Sequence, residues 1–482
     1  MKHSCIFNVL FSLLFALGAT AADRPNILLI LSDDHSFPHL GAYSNVNCIE
    51  NNITPNLDAL AKEGMLLNRA YTPSPQCAPS RASIFAGRSP IGIAATRFAQ
   101  PARSGTVFFT DLLRKSGYWV GLDGRHQHLD GRGNDLDHVS DALIQLGMRG
   151  EAFESRFDHF VQKASTKRDA VWTVDEKIEA ALDKVDEGRP FFLYFGFNQP
   201  HRKWGEDHDN IDPSKLILPD DWPDLPEVRL DYARYLAEVR DLDSGMGLVE
   251  YVLEKRGLKE NTIIIFMGDN GEALLRGKGT VLDRGTHVPL IVRWPGKVKA
   301  GTSSNSLISG IDLAATILEI AGVEKDPGMN GQSFLNLLLD KTHTPRDYVF
   351  AERGWHFGPI KRMDGFDLSR SVMNQKYLLI YNSIPERSYS PVDMSKNPVW
   401  LRMQALHDAG ELSDIHAQLY FQNPRPIFEL YDLDEDPFQL SNLAGQSSVT
   451  EIEKTLRIEM DKWMIREGDY LPLPSHAHQL MR

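Results

Sequence analysis

Four stretches of this chain share one design: an apolar run rich in β-branched and aromatic residues that stops at polar ones. They are NILLILSDDH (26–35), YWVGLDGRHQH (118–128), FFLYFGFNQPHR (191–202) and TIIIFMGDNG (262–271). Unbroken apolar runs suit strands buried on both faces, as in a parallel sheet covered on both sides. Between them lie the helical patterns TPNLDALAKEGM, DLLRKSG, VDEKIEAALDKV and YARYLAEVRDLDSGMGLVEYVLEKRG. Strands alternating with helices predict an α/β sandwich. In such sheets ligands bind beyond the carboxyl ends of the strands. Asp33, Asp34, His128, His201, Asp269 and Asn270 are thereby expected at one edge.

A fifth run, VPLIVRWPG (288–296), precedes the helical pattern DLAATILEIAGV. Near residue 345 the character changes to short alternating runs, SRSVMNQKYLLIYN and IFELYDLDEDP, which read as hairpins. The helical stretch VTEIEKTLRIEMDKWMIREG follows. The expected organisation is a leader over 1–22, an α/β catalytic domain over 23–345, and a docked antiparallel α+β subdomain over 346–482.

The leader reads as a signal peptide: Lys2, the apolar CIFNVLFSLLFALGA, then small residues Ala19-Thr20-Ala21-Ala22. A membrane anchor is the alternative, but the apolar run is short for a span. The mature chain is expected to be exported, periplasmic or extracellular, without a membrane anchor. A formal charge of −13 argues against nucleic acid as partner. Of three cysteines, Cys5 lies in the leader, so Cys48 and Cys77 could form at most one disulfide. One N-x-S/T site occurs, at Asn52, and does not choose between a bacterial and a eukaryotic source. The oligomeric state stays open.

Asp33-Asp34 and Asp269-Asn270 offer hard oxygen ligands, which suit Ca²⁺ or Mg²⁺ better than zinc. The structural alternatives are a helix N-cap at Asp33-Asp34 and a type I′ turn at Asn270-Gly271. Cys77 opens the segment CAPSRASIFAGR, where Pro79 fits the first position of a helix. A helix N-terminus there favours an anion and would lower a thiol pKa. A cysteine phosphatase loop needs more than the three residues that separate Cys77 from Arg81. A papain-like protease lacks its local signature here.

Cys77-Ala78-Pro79-Ser80-Arg81 followed by Gly87-Arg88 resembles the signature of the formylglycine-dependent sulfatases, C-x-P-S-R with G-R further on. RPNILLILSDDH, TPNLDALAKEGMLLNRAYTPSPQCAPSR, GDNG, VPLIVRWPG and ELYDLDEDPFQLSNLA are similar to further family segments in the same order. The resemblance implies an alkaline-phosphatase-like fold: a mixed, mostly parallel sheet sandwiched by helices, with a smaller C-terminal antiparallel subdomain. FNQPHR, SRSV and FELYDLDEDPFQLSNLA lean toward heparan N-sulfatase, while CAPSR also occurs in iduronate-2-sulfatase-like members.

The resemblance also implies roles. Cys77, oxidised to Cα-formylglycine by a formylglycine-generating or anaerobic sulfatase-maturating enzyme, is the implied nucleophile and a metal ligand. Asp33, Asp34, Asp269 and Asn270 complete one Ca²⁺ site, with Mg²⁺ the lesser alternative. Arg81 and Lys278 hold the sulfate, and His201 protonates the leaving oxygen. The family's G-K-x-H appears here as Gly124-Arg125-His126-Gln127-His128. Arg125 takes the lysine position and His128 the base, with His126 in reserve. The implied chemistry is attack on sulfur by a hydrated aldehyde, then expulsion of sulfate as the base removes the second hydroxyl proton.

The expected substrate is a sulfated saccharide, polysaccharide or glycosaminoglycan. Position and O- against N-sulfate stay open. His35, His39, Trp204, Trp355, His356 and Arg370 are candidate sugar contacts, each with a structural alternative. The competing functions are an N-sulfoglucosamine hydrolase, a phosphodiesterase or phosphonate hydrolase of the same superfamily, and an inactive glycan-binding relative.

Overall fold

The computed structural model describes residues 24–131, 136–161, 168–208, 210–356 and 365–475. The leader expected over 1–22 lies outside them. Nine strands form the large sheet: β1 (Asn26–Ser32), β2 (Met65–Tyr71), β3 (Trp119–Asp123), β4 (His159–Phe160), β5 (Phe191–Gly196), β6 (Thr262–Gly268), β7 (His287–Arg293), β8 (Thr302–Ser304) and β9 (Ile308–Ser309). Their order is β4-β3-β5-β1-β6-β7-β2-β8, with β9 beside β2. The four apolar runs are the neighbours β3, β5, β1 and β6, all parallel, while β7 runs antiparallel to both of its neighbours.

Side chains alternate across a strand, so β1 feeds two cores at once. Ile27, Leu29 and Leu31 join the core on one face, and Leu28 and Ile30 join the core on the other. Each is fully buried, worth about 1.5–3 kcal/mol of hydrophobic transfer apiece. That double burial is why no polar residue interrupts the run.

Four more strands make the small sheet in the order β10 (Val349–Arg353), β11 (Ser369–Met373), β12 (Tyr377–Asn382) and β13 (Phe428–Asp432), all antiparallel. One face packs on the helix Thr450–Glu467 through Leu456, Met460 and Trp463, with Phe350 stacked on Trp463 at 5.2 Å. The other face, including Val349, Ala351, Ile380 and Tyr431, packs against Tyr71, Val281 and Leu307 of the large domain. Among the described residues no helix is long and apolar enough to cross a membrane.

The fold adds to the sequence reading at three points. Cys48 and Cys77 are both free and buried, so no disulfide joins them. The helix containing Pro79 begins at Cys77, which puts the proline third rather than first. The first turn of a helix leaves several N–H groups without intrahelical partners, so proline is tolerated throughout it. Helices Pro398–Asp408 and Asp414–Phe421, not singled out in the sequence, stand between β12 and β13.

Candidate active site

The register of the sheet assembles the centre. Ser32 pairs with Gly268, so β1 and β6 end level and the next residues, Asp33 and Asp269, emerge side by side. Asp34 takes a left-handed backbone, φ 62°, uncommon for a residue with a side chain. Its amide donates to Asp269 Oδ1 at 3.0 Å. Neither structural alternative applies: no helix begins at Asp33-Asp34, and Gly271 is not among the positive-φ glycines.

Onto this edge points the helix Cys77–Ala86, closed by Gly87 in a left-handed cap. Cys77 Sγ lies 3.3 Å from Asp33 Oδ1 and 3.6 Å from Asp34 Oδ1. Arg81, one turn later and fully buried, donates from Nε to Asp269 Oδ2 at 2.8 Å and from Nη2 to Asp33 Oδ2 at 3.2 Å. Its Nη1 donates to the Tyr194 hydroxyl. Arg125 pairs with Asp33 from the left-handed end of β3. Lys278 Nζ sits 2.9 Å and 3.0 Å from the two Asp34 oxygens. Asn270 Nδ2 donates to Asp34 Oδ1 at 2.9 Å.

The histidines separate by role. His128 Nδ1 is 4.0 Å from Asp33 Oδ2, whereas His126 turns away to Asp130, 3.4 Å off. His128 is therefore the one brought to the centre. His201 Nε2 lies 3.3 Å from Lys278 Nζ and 3.8 Å from Asp34 Oδ2, while its Nδ1 meets the Arg202 carbonyl.

The electrostatics follow from burying four carboxyl and amide side chains among cations. Burial alone would raise Asp33, but Arg125, His201, Arg81 and His128 hold it far below the usual carboxylate range. Burial pushes Asp269 up to about 7, with Asp33 and Asp34 adding repulsion against the pull of Arg81. Burial and then Asp33 push the Cys77 thiol well up, the opposite of what a bare helix N-terminus would do. Burial, with the carboxylates, outweighs the dipole. Burial and Arg125 push His128 well below its ordinary value, so it is neutral at physiological pH. Burial would lower Lys278, but Asp34 and Asp393 hold it charged.

Two groups of ligand atoms lie within metal-binding reach of one another: Asp33, Asp34, Cys77 and His201, and Asp33, His128 and Asp269. Asn270 Oδ1 is buried without a hydrogen-bond partner. An oxygen-rich set with an orphaned amide oxygen and a carboxyl raised by burial and by its acidic neighbours fits a divalent cation.

The candidate sugar contacts divide. His35 and His39 are fully buried beneath the edge, and burial lowers them to about 4 and about 3. Arg370 is buried against Asp469, 2.6 Å away. None of these three can meet a saccharide. Trp204 and His356 do line a cleft of about 800 Å³, together with Arg202, Lys203 and Asp393. Trp204 lies under the Arg202 guanidinium at 3.6 Å. Trp355 is half-buried and does not line it.

Asp393 was not legible beforehand. Its Oδ2 accepts from Lys278 at 2.8 Å, its Oδ1 lies 3.7 Å from His356 Nε2, and His356 Nδ1 is 3.0 Å from Gln76, the residue before Cys77. Nothing in the local pattern SPVDMSK marks it; only tertiary packing brings it to the lysine.

Residues 25–323 match the Sulfatase family, and residues 271–423 match the family described as N-sulphoglucosamine sulphohydrolase, C-terminal. The chain is 28% identical over 508 residues to an ulvan-active sulfatase of Formosa agariphila, covering 94% of this chain and 76% of that protein. It is 26% identical over 517 residues to N-sulphoglucosamine sulphohydrolase of Homo sapiens, covering 97% and 95%. Its fold is similar, with a TM-score of 0.69 and 18% identity, to a protein solved in complex with its substrate D-glucosamine-2-N,6-O-disulfate, covering 94% of this chain and 99% of that one.

Proposed function

The chain belongs to the sulfatase family, which makes it a sulfuric ester hydrolase with the alkaline-phosphatase-like fold, and we propose that it hydrolyses sulfate esters of carbohydrate at the Cys77 centre. The observation that carries this reading is the convergence of Cys77 with Asp33 and Asp34 inside a ring of Arg81, Arg125 and Lys278. As a thiol, Cys77 is held protonated by burial and by its carboxylate neighbours. Oxidised to formylglycine by a maturation enzyme and hydrated by one water to the gem-diol, the same side chain supplies a hydroxyl as nucleophile toward sulfur. Asp33, Asp34, Asp269 and Asn270 would hold Ca²⁺, whose chemistry there is to activate an oxygen and draw off charge.

The remaining steps belong to side chains in place. Arg81, Arg125 and Lys278 present fixed cationic donors to the oxygens of a bound sulfuryl group, and burial makes each contact count for more than in water. A carbonyl can only accept, so His201 Nδ1 carries the hydrogen toward Arg202 and Nε2 faces the centre. Through Nε2, which faces the centre beside Lys278 and Asp34, His201 can hand a proton to the departing oxygen. His128, neutral and with Nδ1 unpartnered, can take a proton in the return step. The cleft beyond Asp393 gives the sugar its place. The leader composition supports export, and its removal leaves the catalytic domain over 23–345 and the subdomain over 346–482.

A second reading has its own support: the match of residues 271–423 to the C-terminal family of an N-sulphoglucosamine sulphohydrolase favours N-sulfate as the scissile group. Release of sulfate from glucosamine N-sulfate against glucosamine 6-sulfate decides between them. Intact-mass analysis of active enzyme should show Cys77 as formylglycine. Full activity in a sample carrying only the thiol would overturn the mechanism.

A further inference from the structure

A cavity of about 320 Å³ lies between the small sheet, the Thr280–Leu282 segment and the helix Asp414–Phe421. Its volume stands at the lower end of small-ligand pockets. It is separate from the cleft at Lys278: the two share no lining residue. Three arginines from three different parts of the chain line it, namely Arg276 after β6, Arg353 at the end of β10 and Arg425 before β13.

Each brings a buried nitrogen with no hydrogen-bond partner: Arg276 Nη1, Arg353 Nε and Arg425 Nε. Arg276 and Arg353 are themselves almost wholly buried, 4% and 3% exposed. A buried donor left unmade costs the desolvation of its group, and such donors call for a ligand or solvent. The rest of each guanidinium is tied down. Arg353 Nη1 and Arg425 Nη2 donate to the two oxygens of Asp367, at 3.1 and 2.8 Å, and Arg276 Nη2 donates to the Gln439 carbonyl at 2.9 Å. Asp367 thus clamps two of the three cations together.

The charge does not balance within the lining. Among the described lining residues, the three arginines face two carboxylates, Asp367 and Glu429; Asp221, outside the lining, lies 3.7 Å from Arg276 Nε and is shared with Arg284. Glu429 is occupied by neutral donors, Asn382 Nδ2 and the Tyr431 hydroxyl. Arg81, Arg276, Arg284 and Arg370 are all raised by carboxylates despite burial. Arg353 instead is lowered, by burial and by the nearby cations Arg425 and Arg387, against Asp367. Its one counter-charge, Asp367, is shared with Arg425.

We propose that this cavity is a second oxyanion site, which takes sulfate either as the free ion or as the sulfate group of a small saccharide. A tetrahedral oxyanion offers several acceptors to guanidinium donors converging from different sides, and arginine is the side chain suited to it. Tyr389, Tyr420 and Tyr431 supply the aromatic surface a sugar ring would rest on. The site also adjoins the catalytic lysine: Arg353 Cζ lies 3.8 Å from where a Cβ on Gly279 would stand, next to Lys278. The proposal is independent of the chemistry assigned to Cys77.

Crystals of the full-length enzyme soaked in sodium selenate should show anomalous density in this cavity, within hydrogen-bond reach of Arg353 and Arg425, besides any at Lys278. In solution, Arg125→Ala removes one of the cations that hold sulfate at the catalytic centre and touches no residue lining this site. Calorimetric titration of that variant with sodium sulfate at constant ionic strength should show one binding event, weakened at least tenfold by adding Arg425→Gln. Glucose 6-sulfate binding tighter than sodium sulfate there identifies the saccharide as the source, and the reverse order identifies the free ion. Either order upholds the site. Water alone in the cavity at selenate concentrations that fill the catalytic centre overturns it, as does an affinity unchanged by a folded Arg425→Gln variant.

Discussion

Two clusters of buried charge sit in this molecule, and they settle their charge in opposite ways. In the small subdomain, Glu352 and Asp469 flank Arg370, with Asp469 bonded at 2.6 Å and Glu352 3.6 Å away. Burial pushes Glu352 up to about 8, so it stays protonated at neutral pH and the cluster closes as one cation against one anion. At the end of the large sheet, Asp33 is held ionised by four cationic or titratable neighbours, while Asp269 is driven toward neutrality. One cluster discards charge and stays shut. The other keeps its charge and adjoins a cleft through Asp393 and Lys278. Buried charge is weak evidence of stability; what distinguishes a working site is that its charge remains to be used.

If the comparison holds, damage to the first cluster appears as instability and damage to the second as lost turnover. Cys77→Ala should reduce kcat for an aryl sulfate by at least about 10⁴-fold, as expected when a nucleophile is deleted, with an unchanged circular dichroism spectrum. A loss below tenfold would break the distinction. His201→Ala should cost about 10²–10⁴-fold, and less for aryl sulfates with acidic leaving groups, which need no proton. A loss independent of leaving group would make His201 a binding residue only.

On the other side, Arg370→Met should lower unfolding free energy by about 3–5 kcal/mol, because it strands Asp469. Turnover of the folded fraction should stay near wild type; a matching fall in kcat would erase the contrast. The smallest effect is a slope. The folded state keeps the Glu352 proton up to about 8 while the unfolded chain loses it near 4.5. Stability therefore falls as pH rises between those values, by up to about 1.4 kcal/mol per pH unit. Glu352→Gln should flatten denaturation midpoints across that window, and an unaltered profile would show that Glu352 is ionised in the fold.

The large cluster was legible in the sequence and the small one was not. Apolar runs announce parallel strands, parallel strands end level, and the residues just past Ser32 and Gly268 must then meet. Asp33 and Asp269 follow from that geometry before any side chain is placed. The choice between His126 and His128 did not, because it depends on the turn at Gly124 and Arg125, both left-handed. Arg370 looked like a sugar contact because a strand pattern does not say which face its neighbours cover. Asp393 and Arg353 reach the vicinity of Lys278 from far along the chain, through contacts that no local periodicity encodes.

Val392 presses on Gly279 so closely that a Cβ there would lie 2.2 Å from its Cγ2. Gly279 follows Lys278, and Asp393 follows Val392, so one knob of the small subdomain is seated in the loop that carries Lys278. The two parts of the chain are therefore not interchangeable cartridges. Grafting another small subdomain to change which sugar is accepted would also reset the lysine, and rate and preference would shift together. Recombination that respects this seam must carry residues 391–393 with the loop they fit.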